Sequence, residues 1–187
     1  MSSEPPRSHW EEAGGTHATE SGMTCVTALG AGTLYDPDMF YAPQEVRTYF
    51  VSAVTANRRR LFQVATNANL MLEVLGHYRS QGRFELHAFV IMPDHIHVLF
   101  TPAHDVSLEK TVQFIKGGFS FRLKSKRDVW ERSFNEVQVL ERAKFEGCKR
   151  YIEENPVKAG LSSTAEEYLY SSAHWKDGID AMPLHFC

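Results

Sequence analysis

The sequence predicts an α+β fold in which helices pack on an antiparallel β-sheet, and three observations support this prediction. Segments rich in β-branched and aromatic residues alternate with segments whose apolar residues recur three or four positions apart. The resulting order is strand, helix, two strands, helix, strand, helix. Only Pro93-Asp94 separates the two middle strands, which favours a tight turn and therefore an antiparallel hairpin.

The four strands are predicted from their β-branched and aromatic composition. They span residues 48–55, 84–92, 95–101 and 134–140. The basic triplet Arg58-Arg59-Arg60 follows the first strand. We expect this triplet to lie in a loop at the end of that strand.

Three helices are predicted from apolar residues at helical spacing. They span residues 67–80, 107–124 and 141–155. We expect Pro156 to end the last helix, because a proline disfavours helical backbone in the preceding residue. The pair Gly117-Gly118 lies within the second helix, where each glycine costs about 1 kcal/mol relative to alanine. It indicates a kink or a close approach by another backbone, including that of a nucleic acid, and tight packing of the helix on the sheet is an equally good alternative. The whole order of elements resembles a ferredoxin-like or RRM-like sandwich.

Length and composition predict one folded domain with flanking segments. The chain has 187 residues, of which 43% are hydrophobic, enough for one core. We expect a disordered or loosely attached acidic leader over residues 1–44, a folded domain over 45–175 and a C-terminal tail over 176–187. No apolar run is long enough to span a membrane and no secretory signal precedes the domain, so we expect a cytoplasmic protein. The three scattered cysteines indicate neither a disulfide framework nor a thiolate zinc site.

The charge is unevenly distributed along the chain. The net charge of −3 by itself argues against a nucleic-acid-binding protein. Residues 1–45 nevertheless carry seven acids against one arginine, a net charge of −6, so that residues 46–187 carry +3. The basic residues between 116 and 132 could neutralise phosphates or form an ordinary solvated face, and both interpretations stay open.

Two histidines at the start of the third strand form a candidate metal site. His95 and His97 flank Ile96, and side chains on a strand alternate between faces, so both imidazoles point the same way. Two imidazoles at that separation can hold one divalent metal ion. Taken alone, such a pair is more often a half-exposed or packing feature than a pair of ligands.

Tyr151 and Asn155 lie four residues apart on the last predicted helix. They are therefore about 40° apart around the axis and project from one face. If this helix packs near the hairpin, Asn155 could complete a site with His95 and His97, and Tyr151 would point at the bound group. A metal that polarises a phosphate and a phenol that attacks it together perform nucleophilic phosphoryl transfer. The alternative is that Tyr151 is a helix-boundary residue and Asn155 satisfies local backbone groups.

These motifs resemble those of the His-hydrophobic-His single-tyrosine transposases, the IS200-like family, and specifically their REP-associated branch. The resemblance rests on Pro93-Asp94-His95-Ile96-His97 and on Tyr151-Ile152 followed by Asn155-Pro156, and it extends over about residues 48–173. It implies that residues 45–175 are a catalytic domain. That domain would cleave and rejoin single-stranded DNA, at hairpin (REP-like) elements, with Mg²⁺ or Mn²⁺.

The resemblance also implies roles for individual residues. Tyr151 would be the nucleophile that becomes joined to the 5′ phosphate and releases a 3′ hydroxyl. His95 and His97 would be metal ligands, with Asn155 as the amide ligand. The chain departs from its relatives at Glu153-Glu154, where many have a histidine. The protein would act on single-stranded or hairpin DNA as a monomer or homodimer, without a membrane.

Contacts to the DNA backbone are expected from basic residues of the loop, the second helix and the last helix. These candidates are Arg58, Arg59, Arg60, Lys116, Arg122, Lys124 and Lys158. Phe119 or Trp130 could stack on an unpaired base, although each is more often a core residue. Two other functions stay open: a non-catalytic module that binds hairpin DNA or RNA, and a metal-dependent phosphodiesterase that uses water.

Overall fold

A four-stranded antiparallel sheet organises residues 46–186, which are the residues that the structure, a computed structural model, describes. The strands are β1 (Thr48–Val54), β2 (Phe84–Met92), β3 (His95–Pro102) and β4 (Asn135–Val139). They lie in the order β2-β3-β1-β4, and each neighbouring pair is antiparallel. The predicted α+β class and the hairpin are confirmed, whereas the predicted leader lies outside the described residues.

Three helices cover the two faces of the sheet. They are α1 (Ala65–Ser80), α2 (Leu108–Leu123) and α3 (Arg142–Lys158). The apolar stripes of α1 and α2 share one core with Val51, Ile96 and Phe100 on the first face. Residues Phe145 and Ile152 of α3 pack in a second cluster on the opposite face. Because side chains alternate along a strand and Ile96 points to the first face, His95 and His97 point to the face that α3 covers.

The prediction that Pro156 ends the last helix is wrong, because α3 continues to Lys158 with Pro156 inside it. The stop comes at Gly160, whose φ of +68° lies in the left-handed region that glycine adopts without a Cβ penalty. The Gly160 N–H donates to the Val157 carbonyl at 2.9 Å, and the Leu161 N–H donates to the Pro156 carbonyl at 2.8 Å. This is a Schellman cap, in which these two hydrogen bonds satisfy carbonyls of the last turn and end the helix.

Of the alternatives for Gly117-Gly118, the kink is not present, because α2 is one continuous helix. A Cβ on Gly118 would lie 2.6 Å from Cε2 of Tyr78 on α1. Gly118 is therefore needed for the close packing of α1 against α2. Gly117 is exposed, and a Cβ there would meet open space apart from Gln113 Cγ at 3.8 Å.

The segment after α3 packs against the outer edge of β2. The Ile91 N–H donates to the Tyr170 carbonyl and the Ser172 N–H donates to the Phe89 carbonyl, each at 2.9 Å. Asp180 accepts hydrogen bonds from the Arg79 guanidinium and from the Leu86 N–H. These contacts cover an edge that would otherwise expose unpaired backbone groups. Between residues 46 and 186, none of the helices is both long and apolar enough to cross a membrane.

Candidate active site

The two strand histidines and the helix tyrosine meet on the α3 face of the sheet. The ring centroids of His95 and His97 are 4.8 Å apart. The ring of Tyr151 lies with its centroid 5.6 Å from that of His97. Phe50 on β1 stacks on His97 at 5.4 Å and contacts Tyr151 at 5.9 Å, so one aromatic ring positions both. Residues more than fifty positions apart are thus neighbours here.

The Nδ1 atom of each histidine is already engaged. The His95 Nδ1–H donates to Asp94 Oδ1 at 2.6 Å. The Ser52 hydroxyl lies 2.6 Å from His97 Nδ1 and is hydrogen-bonded to it. Within residues 46–186 neither Nε2 atom has a hydrogen-bond partner. Partners of this kind fix ring orientation and leave the other nitrogen for a ligand.

Arg58 extends this network beyond Asp94. Its guanidinium donates to Asp94 Oδ2 at 3.3 Å, while the arginine side chain is 72% exposed. Burial of the Asp94 carboxyl opposes ionisation, but the hydrogen bond from His95 and the charge of Arg58 outweigh it. The pKa of Asp94 is lowered as a result. Asp94 is therefore a carboxylate at neutral pH and can hold His95 as an Nδ1–H donor.

His97 is buried, with 8% of its surface exposed. Burial, and secondarily the neighbouring His95, lowers the pKa of His97 to about 4. Its imidazole is consequently neutral at pH 7, which is the state that binds a metal ion.

Tyr151 combines an anchored ring with an accessible edge, since 45% of the residue is exposed. The Lys158 ammonium lies 5.7 Å from the centroid of its ring and pairs with Glu154 at 2.8 Å. Glu153 accepts a hydrogen bond from the Ser172 hydroxyl at 3.3 Å. Both acids at the departure from the family motif thus have partners on or beside α3.

Asn155 lies one turn beyond Tyr151 on α3 and is half-buried. Its carboxamide forms no hydrogen bond with any of residues 46–186, so it is unengaged. Over the same residues, no group of three or more His, Cys, Asp or Glu side chains is placed to hold a metal ion.

The predicted DNA contacts fall into two groups. Arg59 donates to the carbonyls of Ala56 and Asp128, and Lys116 donates to the carbonyls of Glu131 and Ser133. These two side chains hold loops together. The remaining candidates lie at the surface with exposed or half-exposed side chains. They are Arg58, Arg60, Arg122, Lys124 and Lys158.

Two concave regions lie at opposite ends of the strands. A cavity of about 200 Å³ lies at the end of β1 where Val54 and Arg58 lie. Its lining consists of Ser52, Val54, Arg58, Glu131, Ser133, Phe134 and Asn135. A larger one of about 610 Å³ is lined by Arg79, Asp180 and the end of β3 at Thr101 and Pro102. We associate the smaller cavity with the site, because it shares Ser52 and Arg58 with the histidine network.

Three residues of the site were missed from the sequence: Asp94, Ser52 and Phe50. Asp94 directly precedes His95, and that adjacency was the available signal for a carboxylate partner. Ser52 and Phe50 lie on β1, and only the register that pairs Ser52 with His97 brings them in. No local pattern reports that register.

Comparison with known proteins agrees with the resemblance seen in the motifs. Residues 45–155 match the family model described as "Transposase IS200 like". The REP-associated tyrosine transposase of Escherichia coli (strain K12) is 24% identical over 137 residues, which are 70% of this chain and 82% of that protein. A solved structure described as a REP-associated tyrosine transposase bound to a REP hairpin superposes with a TM-score of 0.60 at 23% identity. It covers 79% of this chain and 88% of that one, and this likeness shows a common fold.

Proposed function

Because this chain belongs to the IS200-like transposase family and is an enzyme of the tyrosine-transposase type, we propose that it cleaves and rejoins single-stranded DNA through Tyr151. The observation that carries the proposal is the contact of Tyr151 with His97 beside His95, at centroid distances of 5.6 and 4.8 Å. A nucleophile and two candidate ligands thereby share one surface.

Tyr151 supplies the nucleophile in this proposal. The phenol releases its proton to water, its oxygen attacks the scissile phosphorus and forms an O–P bond, and the bond from phosphorus to the 3′ oxygen breaks. The 3′ oxygen leaves and takes up a proton as a 3′ hydroxyl, and the 5′ phosphate stays on the tyrosine. Attack by another 3′ hydroxyl reverses the step and rejoins DNA. Contacts with Phe50 and His97 restrict the ring, which lowers the entropy cost of this attack.

The residues of the site fit a divalent metal ion. His95 and His97 have engaged Nδ1 atoms, and among residues 46–186 neither their Nε2 atoms nor the Asn155 carboxamide has a hydrogen-bond partner, so these three would hold Mg²⁺ or Mn²⁺. Two imidazoles favour Mn²⁺, because Mg²⁺ prefers oxygen ligands. When bound, the ion would act as a Lewis acid that polarises the phosphate and stabilises the departing 3′ oxygen. Asp94 and Ser52 would orient the imidazoles for this role.

Hairpin DNA of the REP type is the proposed substrate. The E. coli relative is named for REP elements, and the solved structure of a REP-associated transposase is described as bound to a REP hairpin. Exposed cations near the site support the choice, since phosphates dominate nucleic-acid affinity. Arg58 and Lys158 flank the histidines and Tyr151, and would contact phosphates next to the scissile one. The protein would act as a monomer or homodimer.

The test uses single-stranded hairpin DNA from the flanks of the protein's own gene, incubated with Mn²⁺ and resolved on a denaturing gel. We expect DNA labelled at its 3′ end to move with the protein, because Tyr151 retains the 5′ phosphate of that fragment. DNA labelled at its 5′ end should instead yield a free, shortened strand. Tyr151→Phe should abolish both products, and a chelator should do the same.

Tyr170→Phe is the matched control, because it removes a phenol outside the site, and it should retain the adduct. Cleavage without any adduct would replace the tyrosine mechanism by attack of water. Binding of cognate hairpin without cleavage would make the protein a non-catalytic module.

A further inference from the structure

Helix α2 exposes a phenylalanine that the hydrophobic core does not use. Phe121 is 82% exposed, whereas Phe119, two positions earlier, is fully buried against Phe62 and Trp130. Two helical positions are 200° apart, so the two rings point in opposite directions. Phe119 and Trp130, the aromatic residues first considered for base stacking, are both core residues. Phe121 is the one exposed aromatic ring of this helix, since Phe114 is half-buried and stacks on Tyr78.

Gly117 leaves the space beside that ring open. It lies one turn before Phe121 on the same face, and helical side chains lean toward the N-terminus, over the preceding turn. A Cβ at Gly117 would approach only Gln113 Cγ within 4 Å, at 3.8 Å. Packing therefore explains Gly118 but does not explain Gly117. The glycine keeps the face of Phe121 accessible to a flat group.

A run of cations follows this ring along the chain. Residues 122–127, which directly follow Phe121, contain four basic residues and no acid. They are Arg122, Lys124, Lys126 and Arg127. On the N-terminal side, the Phe121 face continues through Gly117 to Gln113, so the ring is an isolated apolar group among polar ones. A protein partner would favour a contiguous apolar patch instead.

The segment that follows these cations is bonded to the loop beside the candidate active site. The Arg59 guanidinium donates to the Asp128 carbonyl, and the Ala56 N–H donates to the Val129 carbonyl at 2.9 Å. These bonds hold Asp128 and Val129, which directly follow residues 122–127, against the loop of the Arg58–Arg60 triplet, and we call residues 122–127 and 58–60 together the basic rim. Arg58 of this rim donates to Asp94 Oδ2 at 3.3 Å, so the rim adjoins the turn that carries His95.

We propose that Phe121, with the open space at Gly117, is a stacking platform for an unpaired base of a DNA strand whose phosphates lie on the basic rim. The inference rests on the proposed function and deepens it by assigning a contact outside the catalytic residues. Every base has a flat π-face, so an exposed aromatic ring flanked by cations suits single-stranded DNA of any sequence.

The test is equilibrium binding to a fluorescent single-stranded hairpin with unpaired flanks. The anisotropy of the labelled DNA measures binding, and EDTA prevents cleavage. Phe121→Ala should weaken the Kd about 5-fold to 100-fold, the range for loss of one stacked base. Phe121→Trp should retain affinity, and Phe121→Leu should behave like alanine because it lacks a π-face. Gly117→Leu should also weaken binding by covering the ring.

Leu184→Ala is the matched control, since Leu184 is 88% exposed and lies outside the basic rim. It should bind like the wild type. Equal binding by Phe121→Ala and wild type, or equal losses on blunt duplex and on the hairpin, would overturn the proposal. A Phe121-dependent preference for RNA of the same sequence, or Phe121-dependent self-association without an effect on DNA, would overturn the choice of partner. If the hairpin binds through Phe121 while Tyr151 forms no adduct, the platform stands and the catalytic proposal fails.

Discussion

The two faces of the sheet differ in what they bury. The face covered by α1 and α2 carries a large apolar core that includes Met71, Leu75 and Phe100, each almost fully buried. The face covered by α3 buries polar groups among its apolar ones, notably His87 and His97. Each of these histidines has a hydrogen-bond partner. The first face therefore mainly stabilises the fold. On the second face, burial also lowers the pKa of the His87 and His97 imidazoles.

The sharpest way to break this comparison is to remove one aromatic ring from the first face. Phe119→Ala should destabilise the protein by about 3–5 kcal/mol, because the ring is fully buried against Phe62 and Trp130. Phe121→Ala, the matched control two residues away, should change stability by less than about 0.5 kcal/mol. Urea denaturation followed by circular dichroism measures both. Equal losses would contradict the assignment of the core to this face.

Asp94→Asn tests whether the second face tunes its histidines. The amide cannot accept the His95 Nδ1–H as strongly as the carboxylate does, so Mn²⁺ affinity should fall about 10-fold to 100-fold. Titration of free Mn²⁺ by electron paramagnetic resonance measures this without any reaction. Asp128→Asn, on an exposed loop, is the control. Unchanged Mn²⁺ affinity in Asp94→Asn would show that the carboxylate does not position His95.

Local patterns predict the strands and helices of this fold well, because the period of apolar residues, two in a strand and 3.6 in a helix, can be read within one short segment. His95 and His97 sharing a face follows from strand alternation alone. The Ser52 partner of His97 does not, because it depends on the register of strands 45 residues apart. Pro156 alone does not predict the end of α3 either, because the helix ends at the cap formed by the N–H groups of Gly160 and Leu161.

The buried His87 makes the stability of the second face depend on pH. Burial lowers the pKa of His87 below 6.5. The backbone carbonyls of Asp180 and Ala181, which accept hydrogen bonds from the ring, and the Asp180 charge act against this, whereas His185 adds to it. The unfolded chain therefore binds a proton at a higher pH than the folded one. The stability is complete above about pH 6.5 and is lost as the pH falls toward the folded pKa.

Urea denaturation of metal-free protein at pH 7.5 and pH 5 measures this effect. We expect the free energy of unfolding to fall toward pH 5, and His87→Gln to reduce that fall. Thr101→Val is informative as a comparison, because it removes the hydroxyl 2.8 Å from His87 Nε2 and keeps the titrating ring. A slope that is identical in His87→Gln and wild type would remove His87 as its source.

The smallest expected effect separates the two adjacent glycines of α2. Gly117→Ala should raise stability by about 0.5–1 kcal/mol, because the added methyl meets open space and alanine favours the helix. Gly118→Ala should lower stability, since the alanine Cβ would lie 2.6 Å from Cε2 of Tyr78, and the Tyr78 ring or helix α1 would have to shift. Thermal unfolding of both variants checks the signs, and a gain in both would mean that the contact with Tyr78 yields at no cost. A gain in Gly117→Ala would also show that the native glycine is less stable than alanine at this position. That is the result expected if the glycine is kept to leave room for a stacked base.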